Sequence, residues 1–68
     1  MRIFIITFRS VTFAQRGERL LNRNNHRCVL QRTPQWMEQQ GCGYSLRIKT
    51  EDIIPGVELL RENGVPVR

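Results

Sequence analysis

Thr33-Pro34-Gln35-Trp36-Met37-Glu38-Gln39-Gln40-Gly41-Cys42-Gly43-Tyr44-Ser45-Leu46-Arg47-Ile48 is the stretch on which the reading of the fold turns. Threonine followed by proline is a helix cap with proline at the first helical position. Trp36, Met37 and Gln40 then make one or two helical turns, and Gly41 stops them. Beyond the cysteine, Tyr44, Leu46 and Ile48 alternate with Ser45, Arg47 and Lys49, the pattern of a strand with one buried face. Cys42 stands between two glycines at the junction of turn and strand.

Upstream, Ile3-Phe4-Ile5-Ile6-Thr7-Phe8 is apolar at odd and even positions alike, which suits a central strand. A helix then begins with Ser10 or Thr12 as its cap. Phe13, Gly17, Leu20 and Leu21 fall on one face at helical spacing. Gly17 in that face weakens the helix and permits close approach to a sheet. Asn22 to Asn25 ends the helix, because asparagine tolerates a left-handed backbone. Arg27-Cys28-Val29-Leu30-Gln31-Arg32 reads as a second strand, with Cys28 and Leu30 on the face of His26.

Downstream, Thr50 or Asp52 caps a further helix whose Ile53, Ile54, Val57 and Leu60 point inward. Pro55 fits only a first turn, which favours Asp52 as the cap. Asn63-Gly64 closes the helix. Val65-Pro66-Val67 suffices for a short edge strand, since proline lacks the ladder donor. Leu20-Leu21-Asn22-Arg23-Asn24 and Leu59-Leu60-Arg61-Glu62-Asn63 echo one another across the two halves.

The order β-α-β-β-α-β predicts an α+β, ferredoxin-like domain over residues 1–68. Its four-stranded antiparallel sheet carries both helices on one face, with a short extra helical turn before strand three. Strands one and three are expected side by side in the middle. Phe8-Arg9-Ser10 would then lie beside Cys42-Gly43, at the rim where the first helix opens and where Thr33 ends strand two.

That placement bears on the thiol. A helix N-terminus and a nearby arginine favour thiolate, so Arg9 and the amides after Ser10 would lower the Cys42 pKa. Gly41 and Gly43 allow backbone donors to turn toward the sulfur. The carbonyl end of the preceding turn opposes these effects. We expect Cys42 to be an exposed functional thiol and Cys28 to be buried filler. Trp36 is expected to pack its connection onto the core as a lid, or, if exposed, to anchor a partner.

Composition limits the alternatives. The 68 residues include two cysteines, too few and too far apart for a secreted disulfide scaffold. The first apolar run is shorter than a signal-peptide core or a membrane span, so a cytoplasmic setting is the default. The net charge is +5, and ten of the eleven basic residues are arginine. Such a surface suits acidic protein partners, and less well nucleic acid, for which the third strand offers only one aromatic. Arg16, Arg19 and Arg23 form a basic stripe on the first helix. His26, Cys28 and Cys42 do not make a zinc pattern, so no metal and no cofactor is expected. No cysteine–histidine–acid set marks a stand-alone enzyme.

Thr7-Phe8-Arg9-Ser10, Thr33-Pro34, Cys42-Gly43-Tyr44-Ser45-Leu46-Arg47-Ile48 and Glu62-Asn63-Gly64-Val65, in that order, resemble the small bacterial domain-of-unknown-function family described as putative selenium/sulfur carrier protein-like. Gln35 stands where that family's pattern has arginine, and Gln-Gln-Gly precedes Cys42. The resemblance implies that Cys42 accepts sulfur or selenium as a persulfide-type adduct. It would then hand the atom to an acceptor, with Gly41, Gly43, Arg9, Ser10 and Thr33 in support. Donor and acceptor proteins would be the partners; the oligomeric state stays open, a dimer included. The alternative is a non-catalytic interaction or regulatory module with a basic face.

Overall fold

The computed structural model describes residues 1–36 and 43–67. Their elements are β1 (Arg2–Thr7), α1 (Val11–Arg23), β2 (Cys28–Arg32), β3 (Tyr44–Thr50) and α2 (Ile54–Glu62). The three strands form one antiparallel sheet in the order β1-β3-β2. The expected α+β class and the pairing of strands one and three are therefore present.

The fourth strand is not. Among the described residues the sheet has three strands, β3 is the central one, and β1 is an edge. The cause lies at the end of α2. Asn63 is the C-cap, Gly64 takes φ +73°, and the Val65 N–H donates to the Leu60 carbonyl at 2.9 Å. This wrap drives Val65 into the core, where it is fully enclosed beside Leu60. Pro66 then has no N–H to offer a ladder. Ile3, expected in a central strand, is 56% exposed on the edge.

α1 starts at Ser10, whose Oγ accepts the Phe13 N–H at 3.2 Å. It ends with the same wrap as α2: the His26 N–H donates to the Leu21 carbonyl at 2.8 Å, past Asn25 at φ +66°. The matching Leu-Leu segments seen in the sequence thus become matching helix ends, with Leu21 and Leu60 both wholly buried. α2 begins at Ile54, and Asp52 Oδ1 accepts the Ile54 N–H at 3.0 Å, so the aspartate caps from just outside the helix. Ile54 itself is exposed, against expectation, because Pro55 and Ile54 lie on the solvent side of the first turn.

Both helices cover the same face of the sheet. Register places Phe4, Ile48 and Cys28 in one row of that face, and Ile6, Leu46 and Leu30 in the next. The opposite face carries Ile3 with Lys49, then Ile5, Arg47 and Val29, then Thr7, Ser45 and Gln31. Gly17 lets α1 settle onto the core. A Cβ there would stand 3.2 Å from Phe8 Cζ and 3.3 Å from Leu46 Cδ1 and Leu60 Cδ2.

Candidate functional site

The rim where β1 ends and β3 begins gathers most of the residues singled out by the sequence. Thr7 pairs with Ser45 across β1 and β3, and Gln31 pairs with Ser45 across β2 and β3. One residue further, the Thr33 N–H donates to the Gly43 carbonyl at 2.8 Å, extending the β2–β3 ladder. Ser10 opens α1 at the same end, just after β1. The first turn of α1 holds no acidic side chain, so no carboxylate of its own offsets the positive end of the helix dipole. Arg9, exposed, lies between the end of β1 and that cap. Gly43 takes φ +92°, a left-handed backbone that favours glycine, and no described atom lies within 4 Å of the position a Cβ would occupy.

Thr33 and Gly43 are thus joined by a backbone hydrogen bond, and Arg9 and Ser10 follow β1 at the same end of the sheet. Gly41 and Cys42 lie outside the described residues, as does most of the helical turn expected after Pro34; its opening at Gln35 and Trp36 is present as a 3₁₀ turn.

Two expectations about hydroxyl groups are corrected. Thr33 does not cap that turn: its Oγ1 is buried with no hydrogen-bond partner among the described residues, although the N–H groups of Gln35 and Trp36 lie within them. Its backbone is committed to β3 instead, and the side chain follows the strand. Ser45 shares its face with Arg47 and Lys49, which the alternation reads as solvent-facing. In the structure it is fully buried, and its Oγ also has no partner among the described residues. Thr7, its neighbour across the ladder, is buried as well. The sheet face away from the helices is therefore closed at this rim and open at the other. A serine in an otherwise charged row was the available signal.

The sequence reading also passed over Arg32. Its guanidinium stands 5.5 Å from the centre of the Tyr44 ring, its partner in register, and adds a second cation to the rim. Trp36 is 80% exposed, so it does not serve as a lid on the core.

The other thiol is structural. Cys28 is buried, and its Sγ donates to the Glu18 carbonyl at 3.9 Å. Burial first, and the Glu18 charge second, push its pKa up to about 11. Asn22 fixes the adjoining backbone: its Oδ1 accepts the Cys28 N–H at 3.0 Å while Nδ2 donates to the Cys28 carbonyl at 3.4 Å. Among the described residues, no three His, Cys, Asp or Glu side chains gather to hold a metal, and no helix is long and apolar enough to cross a membrane.

Comparison with curated proteins and with solved structures gave no match. A family model does match, over residues 4–68, and the chain belongs to the family described as "Putative Se/S carrier protein-like".

Proposed function

We propose that this member of the Se/S carrier-like family carries sulfur or selenium on Cys42. The Cys42 thiolate attacks the outer, sulfane sulfur of a donor persulfide. A new S–S bond forms on Cys42, the donor's S–S bond breaks, and its electron pair leaves with the donor thiolate. Hand-off is the same exchange with an acceptor thiolate as nucleophile, so no outside oxidant or reductant is consumed. The selenium version differs only in the atom transferred.

One observation carries this reading. The register brings Gly43, the residue next to Cys42, to the rim where Ser10 opens α1 and Arg9 and Arg32 supply cations. A helix N-terminus and guanidinium groups both favour a sulfur anion over its protonated form. The hydroxyls of Thr33 and Ser45, buried with no partner among the described residues, add donors beneath the same rim. Cys42 and Gly41 complete the proposed site with Gly43, Arg9, Ser10 and Thr33.

Alkylation of Cys42 in a Cys28→Ser variant tests the electrostatics. The rate should reach half its maximum below ~8.5, the value of a free cysteine. A midpoint at or above it would remove the activated thiolate. A second reading, an interaction module with an incidental thiol, draws support from the exposed Trp36, since tryptophan in the open is a frequent partner anchor. Such a module takes up no sulfur from a donor.

A further inference from the structure

The helix-free face of the sheet changes character along its length. Toward the site rim it is closed over Thr7, Ser45 and Thr33. Toward the other end it lies open as a groove of about 550 Å³, lined by Ile3, Val29, Arg27, Arg47 and Lys49 among others. Ile3 and Val29 are 56% and 51% exposed. Arg27, Arg47 and Lys49 stand exposed beside them, and none pairs with a carboxylate among the described residues. Among the described residues, no acidic side chain lies in a strand. The groove thus sets Arg47 and Lys49 of the central strand between the aliphatic Ile3 and Val29 of the two edge strands, and every charged side chain in its lining is cationic.

We infer that this groove docks an acidic segment of a partner protein, one that sets one or two aliphatic side chains on Ile3 and Val29 and places carboxylates against Arg27, Arg47 and Lys49. Arginine accepts a carboxylate through two parallel donors, which adds direction to the charge attraction. The lining argues against the other occupants. Single-stranded nucleic acid needs rings to stack on, and in this register Phe4 and Tyr44 both face the helices, leaving no aromatic side chain on the groove's face. A second copy of this chain would oppose like charge with like. The inference holds with or without a reactive Cys42, because every residue it uses lies elsewhere.

The experiment is a titration of the ¹⁵N-labelled chain with a synthetic peptide of two leucines flanked by glutamates, at physiological salt. Amide shifts should concentrate at Ile3, Val29, Arg47 and Lys49. Arg47→Glu and Val29→Ser should each weaken binding at least tenfold, with Lys49→Glu as a second charge reversal if Arg47→Glu fails to fold. Arg16→Glu, on α1 and of equal net-charge change, should leave binding within twofold, and so should Cys42→Ser. The inference is overturned by absent binding or by equal losses in Arg16→Glu and Arg47→Glu. It is overturned equally by tighter binding of a uridine decamer, or of vesicles rich in anionic lipid, through the same residues.

Discussion

At the scale of single residues, the surroundings of Cys28 decide its chemistry. Cys28 sits at the start of β2 under α1, where burial and Glu18 hold it protonated with a pKa of about 11. It should resist iodoacetamide at neutral pH in the folded chain and react once the chain is unfolded; quantitative mass spectrometry of the labelled peptide checks this. The same shift has a stability consequence. A pKa raised on folding means that the unfolded chain releases the proton first, so the Cys28 contribution is fully present below about 9 and is lost as pH rises through about 11. Urea melts of wild type should therefore weaken across that window, and those of Cys28→Ala should weaken less. That Cys28 is filler was legible from its place on an apolar strand face. The burial of Ser45 was not, because alternation alone groups it with Arg47 and Lys49, and only the closed rim distinguishes them. Since its hydroxyl has no partner among the described residues, Ser45→Ala should change stability by no more than ~0.5 kcal/mol, or raise it, whereas a satisfied buried hydroxyl would cost ~1–3 kcal/mol to disrupt. A thermal melt decides.

Among the elements, α1 and α2 follow one plan at their C-terminal ends, and the plan was visible as a repeated Leu-Leu run before it was visible as geometry. Leu21 and Leu60 occupy the same position of the same cap, and Asn24 and Asn63 each return a side-chain N–H to the carbonyl of Leu20 or Leu59. What the repeat did not disclose is that the second cap ends the sheet: by pulling Val65 inward it leaves no extended run for a fourth strand. Gly17 was read correctly as a point of close approach. Alanine there gains ~1 kcal/mol of helix propensity but meets Phe8, Leu46 and Leu60 at 3.2–3.3 Å, and all three are wholly buried in the core. Overpacking costs typically ~1–3 kcal/mol, so Gly17→Ala should be net destabilising by about 1 kcal/mol in chemical denaturation. Asn22 joins α1 to β2 through both backbone groups of Cys28. Asn22→Ala strips those partners and should cost about 1–2 kcal/mol by the same measurement.

For the whole molecule, antiparallel pairing of β1 with β3 is the fact from which the functional argument starts. It could be anticipated because the alternation in 44–49 and the apolar run in 3–8 leave few other arrangements. It carries the rim of Arg9, Ser10, Thr33 and Gly43 to one end of the sheet and leaves an aliphatic and cationic groove at the other. A carrier needs two such regions, one for the atom carried and one for the protein that gives or takes it. The most direct measurement is intact mass after incubation with a cysteine desulfurase and cysteine. The account predicts a gain of one sulfur that persists in Cys28→Ser and disappears in Cys42→Ser; a chain that stays unmodified while a known sulfur carrier is loaded in parallel would contradict it.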